Sequence, residues 1–183
     1  RRVLEIRSQR AQGALDGQHE EGQRDETLGQ YDRRCREGDV DAGRMQSGDR
    51  DAIVARISVA GGMDGLSGCD LVIEAASENE AVKRKIFVEL CPVLKPEALI
   101  ASNTSSISIT RLAAATDRPE RFMGIHFMNP VPRMKLVELV RGIATADEVF
   151  DLARAYVDRL GKTSTVSEDF PAFIVNHILL PMI

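Results

Sequence analysis

From about residue 49 onward, the apolar residues of this chain fall into short blocks with recognisable periods. Asp51 to Ile57 reads as the tail of a helix, with Ile53, Val54 and Ile57 on one face. Cys69-Asp70-Leu71-Val72-Ile73-Glu74-Ala75 is a brief apolar run ending in a carboxylate, which suits a buried parallel strand. Glu80 to Leu94 carries its apolar residues at helical spacing. Val82, Ile86, Leu90 and Leu94 are predicted to face inward, and Lys83, Arg84 and Lys85 to be mostly exposed, with Pro96 marking the end. Ala98 to Ala101 predicts a second strand, stopped by Ser102-Asn103-Thr104-Ser105-Ser106. Ile107 to Ala115 then predicts a helix capped by one of those hydroxyls.

Two further apolar runs, Arg121 to Phe127 and Lys135 to Arg141, are separated by the seven residues Met128 to Met134. A parallel crossover needs a dozen or more residues, so these strands are expected to pair antiparallel. Asp147 to Leu160 predicts a helix with Gly161 at its C′ position, Lys162 to Ser167 a last strand, and Ala172 onward the start of another helix. Strands alternating with helices and then a hairpin predict an α/β sheet with a mixed edge. Ligands on such sheets sit beyond the carboxyl ends of the parallel strands, so the polar residues there are the candidates for chemistry.

Residues 1 to 48 do not share this patterning. The first 50 residues hold about 12 apolar ones, all six Gln of the chain and ten of its Arg, while all five Lys come later. By composition the stretch buries too little apolar surface to offset its ordering entropy. Two readings are open: a disordered or loosely helical polar extension, or an out-of-frame translation joined to a sound sequence.

Overall charge narrows the partners. A net charge of -4 argues against a broad nucleic-acid surface but leaves room for a local cationic pocket. Cys35, Cys69 and Cys91 are widely spaced and form no Cys-x-x-Cys or Cys/His cluster, so neither a metal site nor a disulfide framework is expected. A cytoplasmic, reducing setting is the default, and no segment approaches the length of a membrane span.

Glu74 and Glu78 follow one strand and Ser102 to Ser106 another. The serine-rich cluster reads either as a turn with a helix cap or as a set of donors for an oxygen-rich ligand. His126 ends an apolar strand. With the hairpin pivoting on Val131, it lies opposite Leu136 and diagonal to Glu138 on the same sheet face, within side-chain reach. A carboxylate on one imidazole nitrogen selects the other for proton abstraction. Arg133, Lys135 and His177 read as surface residues, and His19 carries no assigned role.

The run Asp70 to Ala75 with Glu78-Asn79, the stretches Ser102 to Ser106, Gly124-Ile125-His126-Phe127-Met128-Asn129-Pro130-Val131-Pro132 and Lys135-Leu136-Val137-Glu138-Leu139-Val140, and Phe173-Ile174-Val175-Asn176 together resemble the 3-hydroxyacyl-CoA dehydrogenase family, in order and spacing, from about Asp49 to Ile183. The chain most resembles the bacterial 3-hydroxybutyryl-CoA dehydrogenases. The resemblance implies a partial Rossmann-like NAD-binding domain over 49–168, with 169–183 opening a helical domain. It implies NAD as cofactor, an acyl-CoA substrate, and oxidation of an (S)-3-hydroxyacyl-CoA to the 3-ketoacyl-CoA in fatty-acid metabolism. It assigns His126 as general base, Glu138 as the residue that orients it, and Ser105 and Asn176 as hydrogen-bond partners of the reacting oxygen or the cofactor amide. Glu78, Lys83, Asn103 and Ser105 fall on the cofactor side.

The departures from the pattern carry expectations too. No Gly-x-Gly-x-x-Gly phosphate loop occurs, and Gly61-Gly62-Met63-Asp64-Gly65 has the wrong spacing, so the first βαβ unit is expected to be missing or damaged. Ala172 stands where Gly is usual and His177 where Arg is usual. The helical domain that mediates homodimer formation in the family is expected to be absent beyond its opening helix. Two alternatives follow: a non-catalytic fragment of a frameshifted or degenerate gene, or the central part of a multifunctional β-oxidation protein.

Overall fold

The computed structural model describes residues 3–7, 40–58, 60–170 and 173–179. These fall into two compact units: one takes the described residues up to 7 and from 62 onward, the other those from 40 to 61. In the second unit, helix α1 (Ser47–Val54) buries none of its residues, and Ile57 lies beyond its end, 49% exposed. The expected stripe of Ile53, Val54 and Ile57 is therefore not a packed face.

The first unit is a six-stranded sheet in the order β1-β2-β3-β4-β5-β6. Its strands are β1 (Val3–Arg7), β2 (Leu71–Ala75), β3 (Leu99–Ser102), β4 (Phe122–Phe127), β5 (Leu136–Arg141) and β6 (Thr163–Glu168). The first four run parallel, β5 is antiparallel to β4, and β6 is parallel to β5. Helices α2 (Glu80–Leu90), α3 (Ile109–Ala113), α4 (Asp147–Arg159) and α5 (Val175–Leu179) connect or follow these strands. The mixed edge is as expected. Strand β1 is not, because the pattern of the first 48 residues predicts none. Val-Leu-Glu-Ile-Arg is short, follows Arg1-Arg2 and ends on Arg7, so it gives little signal over its polar surroundings.

Register explains how the two sheet faces divide the labour. Leu71, Ile73, Leu99, Ala101, Met123, Ile125, Val137 and Leu139 point to one face and form a core with Val149, Phe150, Ala153 and Val157 of α4. Each fully buried side chain of this kind contributes about 1.5–3 kcal/mol. The alternate positions point to the opposite face, which meets α2 and α3; there Phe87 and Phe122 pack edge to face with centroids 5.0 Å apart. Glu74, Ser102, His126 and Glu138 share that second face by parity of register.

Three helices depart from expectation for identifiable reasons. In α2 the buried residues are Lys83, Ile86, Phe87 and Leu90; Ile86 and Leu90 face inward as expected, as does Leu94 beyond the helix end, while Val82 is half-buried and Lys83 is buried instead of exposed. The helix also stops at Leu90, and the Arg118 guanidinium donates to the carbonyls of Cys91 and Lys95 in the turn that follows. Helix α3 is capped by Ser108, which accepts from the Arg111 amide at 3.2 Å, and not by the 102–106 cluster. Asp169, after β6, reinforces that cap by accepting from the Ile109 and Thr110 amides at 2.7 and 2.8 Å. Helix α5 begins at Val175, after the expected start at Ala172, which lies outside the described residues. Helix α4 ends as expected, with Gly161 in the left-handed region at φ 68°.

Gly124 lets α3 lie against the sheet. A Cβ there would sit 2.9 Å from both Ile109 Cδ1 and Val140 Cβ, and the second of these belongs to a strand that cannot yield without moving its backbone. Gly124→Ala is expected to lower stability by about 1–3 kcal/mol through overpacking. A urea unfolding midpoint unchanged in this variant would contradict the close approach.

Candidate functional site

The chemistry-bearing side chains gather at the carboxyl ends of β2, β3 and β4, joined by the start of β5 and by the segment after β6. At the hairpin, β4 and β5 pair so that His126 lies directly opposite Glu138, not diagonal to it. The expected pivot at Val131 is thus displaced by one residue toward Pro132, and the pairing shifts by two. A shift of two keeps every side chain on its face, so the acid and the imidazole still meet. Lys162 secures the hairpin loop by donating to the carbonyls of Val131 and Met134 at 2.7 and 2.8 Å. Partial burial pulls that ammonium below its ordinary value.

His126 Nδ1 and Glu138 Oε2 are 2.7 Å apart, with His126 8% exposed and Glu138 fully buried. An ionised carboxylate can only accept, so it keeps the imidazole proton on Nδ1 and leaves the lone pair on Nε2. The other carboxylate oxygen, Oε1, accepts from the Ile174 and Val175 amides at 3.0 and 2.8 Å. Those amides are aimed at it by a turn in which Phe173 adopts φ 50°, a conformation L-residues rarely take. Phe173 is buried and its ring lies 6.0 Å from the His126 ring, closing one side of the imidazole.

The serine-rich cluster after β3 does more than make a turn. Glu78 Oε1 accepts from Thr104 Oγ1 at 2.7 Å, from the Ser105 and Ser106 amides at 2.9 Å each, and from the hydroxyls of Ser105 and Ser106 at 3.1 and 2.9 Å. Asn103 Oδ1 accepts from the Phe127 amide at 2.8 Å and so ties this loop to the end of β4. Asn176 Nδ2 donates to the Ser105 carbonyl at 3.0 Å, which brings α5 to the same loop. Lys83 Nζ, from α2, lies 2.9 and 3.0 Å from the two oxygens of Glu74 and 3.8 Å from Glu78 Oε2.

All the expected site residues, His126, Glu138, Ser105, Asn176, Glu78, Lys83 and Asn103, therefore belong to one connected set of contacts or to adjoining strand ends. Sequence reasoning gave no role to Asp169 or Phe173, which hold α3 and the imidazole from the segment after β6. It named Glu74 only as a polar strand end. The signal that would have found Glu74 is its even spacing from Val72, which places a carboxylate on a buried face where it needs donors from another element. Arg133, Lys135 and His177 are exposed, in line with the surface reading.

This face gathers donors, acceptors and one oriented imidazole at parallel-strand ends, where α/β sheets bind their ligands. Residues 18–170 match the family described as "3-hydroxyacyl-CoA dehydrogenase, NAD binding domain". The chain belongs to that family. The 3-hydroxyacyl-CoA dehydrogenases are oxidoreductases, and the matched domain is the one that binds NAD. The match begins at residue 18, inside the stretch whose composition stands apart.

Among individual proteins, the chain is 71% identical over 130 residues to a 3-hydroxybutyryl-CoA dehydrogenase of Bradyrhizobium diazoefficiens, covering 71% of this chain and 44% of that protein. It is 42% identical to a fatty acid oxidation complex subunit alpha of Psychrobacter arcticus, over 78% of this chain and 20% of that one. The solved (S)-3-hydroxybutyryl-CoA dehydrogenase PaaH1 of Ralstonia eutropha superposes with a TM-score of 0.88 at 35% identity, over 99% of this chain and 68% of that one. The chain thus spans about half the length of the curated 3-hydroxybutyryl-CoA dehydrogenases it matches. The residues of the described face fit NAD in kind: Glu78, Asn103 and Ser105 supply acceptors and donors at the carboxyl ends of β2 and β3. Among the described residues, no helix is long and apolar enough to cross a membrane.

Glu78 also sets a pH dependence. Its partial burial would raise the carboxyl, but the hydrogen bonds from Thr104, Ser106 and the Ser105 amide, with the charge of Lys83, outweigh this and hold it below its ordinary value. A carboxyl lowered in the fold adds stability that is complete above its unfolded value of about 4.3 and is lost as pH falls through the folded one. Urea midpoints taken between about pH 6 and about pH 3 should therefore fall more steeply for the unsubstituted protein than for Glu78→Gln. Equal slopes would remove Glu78 from the acid response.

Proposed function

We propose that this chain forms part of an NAD-dependent dehydrogenase that oxidises (S)-3-hydroxyacyl-CoA, with 3-hydroxybutyryl-CoA as the favoured substrate, to the 3-ketoacyl-CoA in fatty-acid metabolism. One observation carries the reading: the buried Glu138 carboxylate 2.7 Å from His126 Nδ1, which frees Nε2 as a base at the mouth of the sheet. The names of the relatives support the choice of substrate.

NAD, when bound, supplies the hydride acceptor. Nε2 of His126 takes the proton of the substrate hydroxyl as the C3 oxygen develops alkoxide character, and Glu138 stabilises the imidazolium that results. Donors near that oxygen lower the barrier in the same way. Asn176 spends one amide hydrogen on the Ser105 carbonyl and keeps another, and the Ser105 hydroxyl, although it donates to Glu78, can still accept. Glu78, Lys83 and Asn103 belong to the cofactor side of the site. Residues 49–168 make up the second part of the NAD-binding domain, and 169–183 open the domain that follows it and carries homodimer contacts.

A second reading, the dehydrogenase part of a multifunctional β-oxidation protein, draws on the likeness to the fatty acid oxidation complex subunit. It assigns the same chemistry to the same residues. The compositional break near residue 48 favours a third, a non-catalytic product of a damaged gene. Loss of NADH absorbance with acetoacetyl-CoA separates the third reading from the other two, since the damaged-gene product would show none. In active protein, His126→Gln is expected to lower kcat by about 10²–10⁴-fold. Normal turnover of that variant at saturating substrate would end the assignment of the base.

A further inference from the structure

Asp169, which follows β6, is half-buried and gathers three donors on its carboxylate. Oδ1 accepts from the Ile109 amide at 2.7 Å, and Oδ2 from the Thr110 amide and the Ser108 hydroxyl at 2.8 Å each. All three donors belong to the start of α3, about sixty residues earlier in the chain. Ser108 already caps that turn from within, accepting from the Arg111 amide. Asp169 satisfies two amides that Ser108 leaves over, which accounts for it locally. What it ties together is not local.

The mooring point is rigid. Ile109 is fully buried, and a Cβ on Gly124 or Gly142 would sit 2.9 or 3.2 Å from its side chain. Helix α3 is thus seated on β4 and the end of β5. From Asp169 the chain leads to Phe173 beside the His126 ring, to the Ile174 and Val175 amides that donate to Glu138, and to Asn176, which donates to the Ser105 carbonyl. Only three residues separate Asp169 from Phe173, so that stretch spans at most about 14 Å. A tether this short carries a shift at Asp169 on to the residues beyond it. Ser105 in turn lies three residues before Ser108. The two segments are therefore joined at two points, Asp169 to residues 108–110 and Asn176 to Ser105.

We propose that Asp169 is a positioning residue for the reaction: by mooring segment 169–176 to the start of α3, it sets the spacing of Asn176 from Ser105 and holds Phe173 and the Glu138-binding amides against the base. The effect on catalysis rests on the function proposed above; the mooring itself does not. Asp169 touches none of the reacting atoms and acts through Asn176 and Phe173. Such remote ties matter because a misplacement of about 1 Å at a reacting centre can cost about 10²-fold in rate.

Two variants test this in the full chain. Asp169→Asn keeps the volume but turns an amide nitrogen toward groups that need an acceptor, while Ser108→Ala removes one donor and leaves the carboxylate. Asp169→Asn is expected to lower kcat for acetoacetyl-CoA reduction by about tenfold with the KM for NADH unchanged, and Ser108→Ala to lower it by about twofold. In an Asn176→Ala background, Asp169→Asn should cost no more than about a further twofold. Amide hydrogen exchange at Ile174 and Val175 should speed up by about tenfold, while Val72 and Ile125 in the sheet exchange as before. Unchanged turnover, or unchanged exchange at Ile174 and Val175, in folded Asp169→Asn would overturn the proposal. Equal acceleration at Val72 and Ile125, or kcat losses that multiply fully with those of Asn176→Ala, would reduce Asp169 to a stabilising cap and overturn it too. Should Asp169→Asn fail to fold, Ser108→Ala decides on the same readouts. If the unsubstituted protein turned nothing over, the proposed function would fall, and exchange at Ile174 and Val175 would still decide the mooring.

Discussion

The site depends on a single buried carboxylate being used at both of its oxygens. Glu138 lies in the middle of a strand with no access to water, where an ionised group is tolerated only if each acceptor finds a donor. One oxygen meets the His126 ring and the other meets the amides of Ile174 and Val175. The interaction that orients the base therefore also fixes the segment leading into α5, which brings Asn176 to the Ser105 loop and Phe173 against the imidazole. Removing the carboxylate would leave two backbone donors and a ring nitrogen unsatisfied together. This residue cannot be treated as an accessory to the histidine alone.

Glu74 sits on the same sheet face and meets a different solution. It has a full cation for company, delivered by α2 on the turn before Phe87. Two buried carboxylates on one face, one paired with a fixed charge and one with an imidazole, divide the labour in electrostatic terms. The first is locked and neutral overall, so it can hold neighbours in place. The second faces the His126 imidazole, a group able to change its charge, and under the proposed reaction its energy is worth most as that ring takes up a proton.

Much of this was legible in the chain. The strand runs of β2 to β5 and the long helix α4 announce themselves by period, and the seven-residue gap between β4 and β5 dictates antiparallel pairing without any coordinates. His126 and Glu138 are found together because strand parity is robust: the pivot was misplaced, but a slip of two residues preserves the face. What periodicity could not supply is anything that depends on a distant partner. Lys83 reads as a surface charge because its sequence neighbours Arg84 and Lys85 are exposed, and only Glu74 on another element makes its burial tolerable. Asp169 as a helix cap is equally invisible, since it lies about sixty residues from the amides it serves. Strand β1 was missed for the opposite reason, a short apolar run set in a polar stretch, and residues 8–39 lie outside those described.

The antiparallel hairpin is the feature that sets a buried carboxylate against the imidazole. In a sheet of wholly parallel strands, the residue beside the carboxyl end of a strand is the carboxyl end of its neighbour, and both face the ligand cleft. A carboxylate placed there would be wet and free to move. Reversing β5 sets its first residues beside the end of β4, so that Glu138, the third residue of β5, reaches His126 from within the sheet, where it is fully buried. The imidazole is 8% exposed, with Nδ1 held by the buried Glu138. A proton-accepting group needs both conditions at once: an environment dry enough to fix its tautomer and an opening through which a hydroxyl can approach. Because β6 follows β5 in parallel, the chain leaves the sheet at the far edge and must cross back over the site, which is why the segment from Asp169 to Asn176 supplies so many of its contacts.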